Sequence, residues 1–378
     1  MMIARMQAGA VAAALLLAAG GAAAAEKVPD TMVWSTYDVG STGYVEASAV
    51  ADAFGKKFGT RIRLQPSGTS IGRLLPLKTK RVGYAWLANE AYFAAEGLYD
   101  FAAPDWGPQD LRVMLGRVNG FSVVATKTSG ITDVASLKGK RFAYVAANAS
   151  VNVKIDGLLA FGDLSWKDMV LVPFPSYGAS LKALVEGKAD AAGAAPNAAT
   201  LYELASSPNG ITWVPLPADN AKGWAAVQKA VPFLEPYNDT IGAGISADKP
   251  ATVMGYRYPM ITVYAEADAG EVYAVTKAMI ETYELYKDVN PIMPRWHVSK
   301  SGTPPMDAAF HDGAIRAIKE AGAWTPQSQA WQDRTLKRQK ALQAAWTKAV
   351  ADAKAKNVPA DGFAKFWEEQ RARTLGSL

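Results

Sequence analysis

Hydroxyl, amide and glycine residues crowd together at four points of the chain, and each point directly follows a short apolar run. Gly40-Ser41-Thr42-Gly43-Tyr44 comes after 33–36, and Pro66-Ser67-Gly68-Thr69-Ser70 after 62–64. Further on, Ala146-Ala147-Asn148-Ala149-Ser150 comes after 142–145, and Pro175-Ser176-Tyr177-Gly178-Ala179-Ser180 after 170–173. A helical pattern begins at once behind each loop. First-turn N–H groups have no acceptor inside their own helix, so with the hydroxyls they can hold a small anion or polar solute. The two pairs read as one device used twice, a clamp made of facing lobes.

The candidate ligand contacts follow from strand ends, because solutes bind such sheets outside the carboxyl ends of their strands. On the first lobe these are Ser41, Thr42 and Tyr44, then Ser67, Thr69 and Ser70, whose three hydroxyls around Gly68 exceed what one helix cap needs. Arg73 follows by one turn and can clamp a carboxylate through two parallel hydrogen bonds. Trp86 and Asn89 end the third strand, as an indole wall and an amide. On the second lobe the equivalents are Asn148, Ser150, Ser176, Tyr177 and Ser180, with Pro196 and Asn197 completing the rim. The plainer roles are helix caps for Thr42 and Asn89, a surface arginine for Arg73 and packing for Tyr177.

Asp38, Glu46 and Glu90 are carboxylates close to these loops, and an acid–base pair needs such groups. No nucleophile, metal-ligand cluster or Gly-Lys-Ser/Thr phosphate loop accompanies them. The chain reads as a binding protein, not an enzyme, with no cofactor and no metal. A secreted enzyme on the same scaffold is the rival reading, with Glu46 or Glu90 at the chemistry. His297 and His311, the only histidines, are isolated and read as structural.

The elements that must position these loops alternate strand and helix from residue 31, which predicts an α/β fold with crossover connections and a mainly parallel sheet. Helices are expected at 44–58, 71–77 and 89–96 in the first lobe, with strands at 32–36, 61–65 and 82–87. Two strands, 111–115 and 122–126, flank a break at Asn119-Gly120, where the chain first crosses between lobes. The second lobe carries strands at 141–145, 170–173, 189–194 and 213–216. The return crossing is placed in the Pro-, Gly- and Tyr-rich stretch 232–259, and a helix is expected at 269–287. Beyond Asp307 the pattern is helical, with one helix at 308–321 and a longer one at 331–354. The division expected is a leader at 1–25, lobe I at 26–118 and 241–330, lobe II at 119–240 and a helical extension at 331–378.

Residues 1–25 have the form of a secretory signal, with Arg5, an apolar run at 10–19 and Ala23-Ala24-Ala25 before Glu26. A periplasmic location follows, and no later stretch approaches the ~20 apolar residues of a spanning helix. The chain has no cysteine, which excludes disulfides and thiol chemistry. The net charge of +5, less Arg5 with the leader, suits an anionic solute. Basic residues are scattered until the C-terminal helices and are diluted there by acids, so no nucleic-acid surface is indicated.

Several landmarks resemble one family, the solute receptors of tripartite ATP-independent periplasmic (TRAP) transporters in the TAXI subgroup. They are Gly40-Ser41-Thr42-Gly43-Tyr44, Pro66-Ser67-Gly68-Thr69-Ser70 and Ser136-Leu137-Lys138-Gly139-Lys140-Arg141. Leu184-Val185-Glu186-Gly187-Lys188-Ala189-Asp190-Ala191 with Pro196 follows, then Phe310-His311-Asp312-Gly313-Ala314 and Lys319-Glu320-Ala321-Gly322. Their order and spacing carry the resemblance, which covers most of the mature chain. It departs at Lys78-Thr79-Lys80-Arg81-Val82-Gly83, where the family has a Gly-Glu-Ala-Asp-like turn. The resemblance implies a type II periplasmic-binding fold with hinge-linked lobes, capture of a small carboxylate by a monomer, and delivery to membrane-embedded permease subunits driven by an ion gradient. A receptor of the same fold serving a sensor kinase or an ATP-driven importer is the alternative.

Overall fold

The computed structural model describes residues 27–377, so the leader expected at 1–25 lies outside the described residues. The chain opens with strand β1 (Thr31–Tyr37), helix α1 (Thr42–Phe58), β2 (Arg61–Ser67), α2 (Ser70–Lys78), β3 (Tyr84–Leu87) and α3 (Glu90–Glu96). The long strand β4 (Leu111–Thr126) leads to β5 (Arg141–Tyr144), α4 (Ala149–Phe161), β6 (Val170–Pro173), α5 (Tyr177–Val185) and β7 (Ala191–Ala194). Next come α6 (Ala199–Ser206), β8 (Ile211–Trp213), α7 (Ala221–Ala230), β9 (Glu235–Asp239) and the long β10 (Ala251–Tyr264). Helices close the chain: α8 (Ala269–Glu281), α9 (Tyr283–Tyr286), α10 (Val298–Ser301), α11 (Asp312–Glu320), α12 (Pro326–Ala355) and α13 (Phe363–Gly376).

The strand order is β2-β1-β3-β10-β4-β7-β5-β6, with β8 beside β4 and β9 beside β10. Lobe I holds the β2, β1 and β3 end and lobe II the β7, β5 and β6 end. β4 and β10 run through both. Residues Leu111 to Phe121 of β4 pair with β10, and Ser122 to Ala125 pair with β7. The break expected at Asn119-Gly120 is therefore an unbroken strand, with both residues in register opposite Tyr256 and Gly255. The sheet is also mixed rather than mainly parallel. β1 pairs parallel with β2 and β3, and β5 with β6 and β7, but every ladder made by β4 or β10 is antiparallel. Crossing strands that shuttle between lobes run against their neighbours, and local β-α alternation carries no trace of this.

Local chemistry accounts for the helix starts. Ser41, Thr69, Asn148 and Ser176 each accept a first-turn N–H, from Tyr44, Gly72, Val151 and Ala179 respectively. Gly59 ends α1 in the left-handed region at φ 72°. His311 and His297 are caps as well, accepting N–H groups from Gly313 and Ser299. Both are structural, as expected. β9 and the first half of β10 form within the stretch 232–259 expected as the crossing, and α7 forms just before it.

One aromatic stack centres lobe I. Trp86 lies between Trp34 and Trp296, with ring centroids at 5.8 and 5.2 Å, and Phe54 meets Trp34 edge-on. All four are within 2% of full burial, and truncating any of them to Ala costs on the order of 3–5 kcal/mol. The C-terminal pair α12 and α13 is strapped to the same lobe. Trp367 donates to Gly97 O at 2.7 Å, and the buried Glu96 receives Arg338 Nε at 2.5 Å as well as Arg371. Among the described residues no helix is long and apolar enough to cross a membrane.

Candidate functional site

The carboxyl ends of β1, β2, β5 and β6 converge on one cavity between the lobes. Tyr37, Asp38, Gly68, Arg73 and Ala88 line it from lobe I. Asn148, Ser150, Val151, Lys154, Tyr177 and Ala195 line it from lobe II, and Phe121, Tyr256 and Tyr258 from the crossing strands. The lobes touch around it. Gly40 O accepts the Ala199 N–H at 3.2 Å, and Thr42 Oγ1 lies 3.0 Å from Asn197 Oδ1.

Arg73 is the cation of the lobe I wall. Its Nε donates to Glu90 Oε1 at 2.8 Å and its Nη1 to Ser67 O at 3.2 Å, while the guanidinium lies 4.2 Å from the Tyr37 ring centroid. Burial works against its charge, but Glu90, with Tyr37 and Tyr258, outweighs it, and its pKa is raised. Among the described residues no acceptor meets its Nη2, which leaves one arm of the fork for a guest.

Lys154 is the cation of the lobe II wall. Helix α4 buries it completely, 4.8 Å from the Phe121 ring centroid and 4.5 Å from that of Tyr256. Its Nζ donates to Asn89 Oδ1 at 2.9 Å, to Ser150 Oγ at 3.0 Å and to Ser150 O. Burial pulls its pKa down to about 7, although Glu90 and Asp307 pull the other way. Asn89 Nδ2 in turn donates to Asp307 Oδ2 at 2.7 Å, and burial raises that carboxyl to about 7. A buried ammonium and a buried carboxyl thus share one amide across the lobe boundary.

The aromatic wall is fixed from behind. Tyr256 and Tyr258 stack at 5.6 Å, and Tyr258 meets Tyr37 edge-on at 4.9 Å. Tyr258 OH accepts the Gly43 N–H at 2.9 Å, and a Cβ at Gly43 would come within 2.5 Å of the Tyr37 ring, so only glycine lets α1 approach. Tyr177 OH accepts the Ala195 N–H at 3.1 Å, and burial pushes the phenol up to about 12.

Of the residues expected from the sequence, Arg73, Asn148, Ser150 and Tyr177 stand in the cavity wall. Ser41, Thr69 and Ser176 cap their helices behind it. Thr42 and Asn197 meet each other beside it, and Asn197 Nδ2 donates onward to Asn119 Oδ1 at 3.3 Å. Ser67 serves through its carbonyl, and Ser70 is buried with no partner for its hydroxyl. Ser180 donates to Tyr177 O, Pro196 O accepts the Ala243 N–H, and Tyr44 is half-buried on α1. Trp86 is in the lobe I core and not in the wall, because β3 turns it between two other indoles. Asn89 makes no cap hydrogen bond and reaches Lys154 instead.

Glu46 and Glu90, the acids a catalytic reading needs, are both taken up by arginines. Glu46 receives Arg117 through two nitrogens and Trp296 Nε1 at 2.5 Å, and Glu90 receives Arg73. No group of three or more His, Asp or Glu side chains that could hold a metal occurs among the described residues. Sequence reasoning passed over Lys154, Tyr256 and Tyr258. Lys154 left one signal, a lysine on the apolar stripe of α4 one turn after Ser150.

Two α/β lobes joined by crossing strands, with a shielded cavity between their loops, define the architecture of periplasmic binding proteins. The chain belongs to the NMT1-like family, whose model matches residues 35–322. The match ends just before α12, so the helical extension lies outside it. The TAXI subgroup is a narrower assignment than this match names. No curated protein matches the sequence. Among solved structures, the chain is similar to a protein from Bordetella bronchiseptica RB50 at 16% identity, covering 79% of this chain and 90% of that one, with a TM-score of 0.46. It is similar at 14% identity to the periplasmic aliphatic sulphonate binding protein SsuA from Escherichia coli, covering 81% and 85%, with a TM-score of 0.44.

Proposed function

We propose that the protein is an extracytoplasmic solute receptor that captures a small organic anion, a carboxylate, by closing its two lobes and hands it to an ion-gradient-driven permease of the TRAP type. The observation that carries the capture is a pair of fully buried cations, Arg73 on lobe I and Lys154 on lobe II, set in opposite walls of one cavity. Helices α2, α4 and α5 begin around that cavity, and each cap serves one first-turn N–H and leaves others without an intrahelical acceptor. Four tyrosines and Phe121 supply the apolar body of the site. The TRAP partner and the periplasmic location rest on the ordered landmarks from Gly40 to Gly322 and on the form of residues 1–25.

Isothermal titration of the mature protein with carboxylates, sulfonates and uncharged analogues of matched size tests the capture. Carboxylates should bind and uncharged twins should not. Silence across the acids, or equal binding of the uncharged twins, defeats the reading. Co-purification of the protein with a multi-spanning permease, dependent on bound solute, tests the delivery.

A further inference from the structure

Resting on the anion reading above, we infer that the guest carries a cationic or N–H-donating group apart from its acid, and that Asp38 receives it. Asp38 stands at the end of β1 and lines the same cavity as Arg73 and Lys154. Its backbone is fixed, since its carbonyl accepts both the N–H and the hydroxyl of Ser41 at 3.1 and 2.6 Å. One carboxylate oxygen, Oδ1, accepts the Val39 N–H at 3.1 Å, which holds the side chain in place. The other has no protein donor among the described residues.

That oxygen belongs to a half-buried side chain and lies close to both lobes. A Cβ built at Gly68 of lobe I or at Gly178 of lobe II would come 3.1 Å from Oδ2 in each case. Two glycines thus leave open the ground in front of the carboxylate, and the fold brings them together there. Four interior acids are treated differently, while the buried Asp307 has only the Asn89 amide among the described residues. Glu46 has Arg117, Glu90 has Arg73, Glu96 has Arg338 and Arg371, and Asp239 has Arg295. No Lys or Arg pairs with Asp38 among the described residues. An anion site with one unmatched carboxylate in its wall holds a plain carboxylate less tightly than a solute that brings its own positive end.

Titration calorimetry with matched probes tests this. The pairs are leucine against isocaproate, phenylalanine against hydrocinnamate and γ-aminobutyrate against butyrate, with phenethylamine as the amine lacking an acid. The amino member of at least one pair should bind about tenfold or more tightly than its twin, the span of a charge-assisted hydrogen bond in a shielded site. In Asp38→Asn that ratio should fall below about threefold, with the thermal melt showing that the variant is folded. Twins binding as well as amino members overturn the inference and leave the anion reading standing. Phenethylamine binding as well as phenylalanine overturns the anion reading itself, and silence from every probe overturns both. A ratio unchanged in Asp38→Asn removes Asp38 from the role.

Discussion

Lys154 Nζ, carried by lobe II, lies 2.9 Å from Asn89 Oδ1, carried by lobe I, and the opposite end of that amide holds Asp307. The contact joins the two lobes and lies against the cavity. A charge inside the site is thereby tied to the closure of the site.

Binding of an acid should therefore consume protons. Burial holds Lys154 near 7, and a bound anion raises that value by favouring the ammonium. Carboxylate affinity should fall by up to about tenfold per pH unit above 7, until the pKa of the bound state is passed. Calorimetry in buffers of different ionisation heat at pH 8 should show net proton uptake. Affinity flat from pH 6 to 9 would sink the coupling.

Asp307→Asn should flatten the stability profile on the acid side. The folded Asp307 titrates near 7 and the unfolded carboxyl near 3.8, so between those values the folded chain holds the extra proton. Stability on this account is fully present below about pH 4 and is lost as pH rises toward 7. Lys154 acts in the opposite sense from about 7 to 10.5, where the unfolded chain holds the extra proton and stability climbs with pH. Thermal melts from pH 4 to 7 should show the wild type declining relative to the variant; parallel curves would contradict the assignment.

Arg73→Met should cost on the order of 3–5 kcal/mol, because Glu90 is completely buried and would keep its charge with only the Tyr37 hydroxyl donating to it. Adding Glu90→Gln should recover most of that stability in urea unfolding without restoring carboxylate binding. Recovery of both would place Arg73 outside the anion site.

Asn197→Ala should loosen the contact between the lobes. Its side chain links Thr42 of lobe I to Asn119 on the crossing strand, and Asn119 Oδ1 also receives Arg117 and Arg295 at 3.1 Å each. Small-angle scattering of the ligand-free variant should show a larger radius of gyration than the wild type, with several-fold weaker solute binding. An unchanged scattering profile would mean that this link does not hold the lobes together.

The sequence by itself determined what is local. A short polar side chain before an amphipathic run marks a helix start, so the four loops and the helices behind them were legible. The caps read from the sequence, Thr42 and Asn89, do not cap: Ser41 caps α1 in place of Thr42, and Asn89 makes no cap bond. Tertiary structure decided which side chains face the cavity. Trp86 ends a strand at the expected place but is turned into the core, while Tyr256 and Tyr258 reach the cavity because β10 lies antiparallel to β4 in one particular register. Lys154 sits on an apolar stripe where a neutral side chain would pack. Only the fold brings it Asn89, 65 positions away in the chain, and two aromatic faces that make its burial tolerable. Register between distant strands and pairing between distant polar groups are set by packing over the whole molecule, and no window of neighbouring residues contains them.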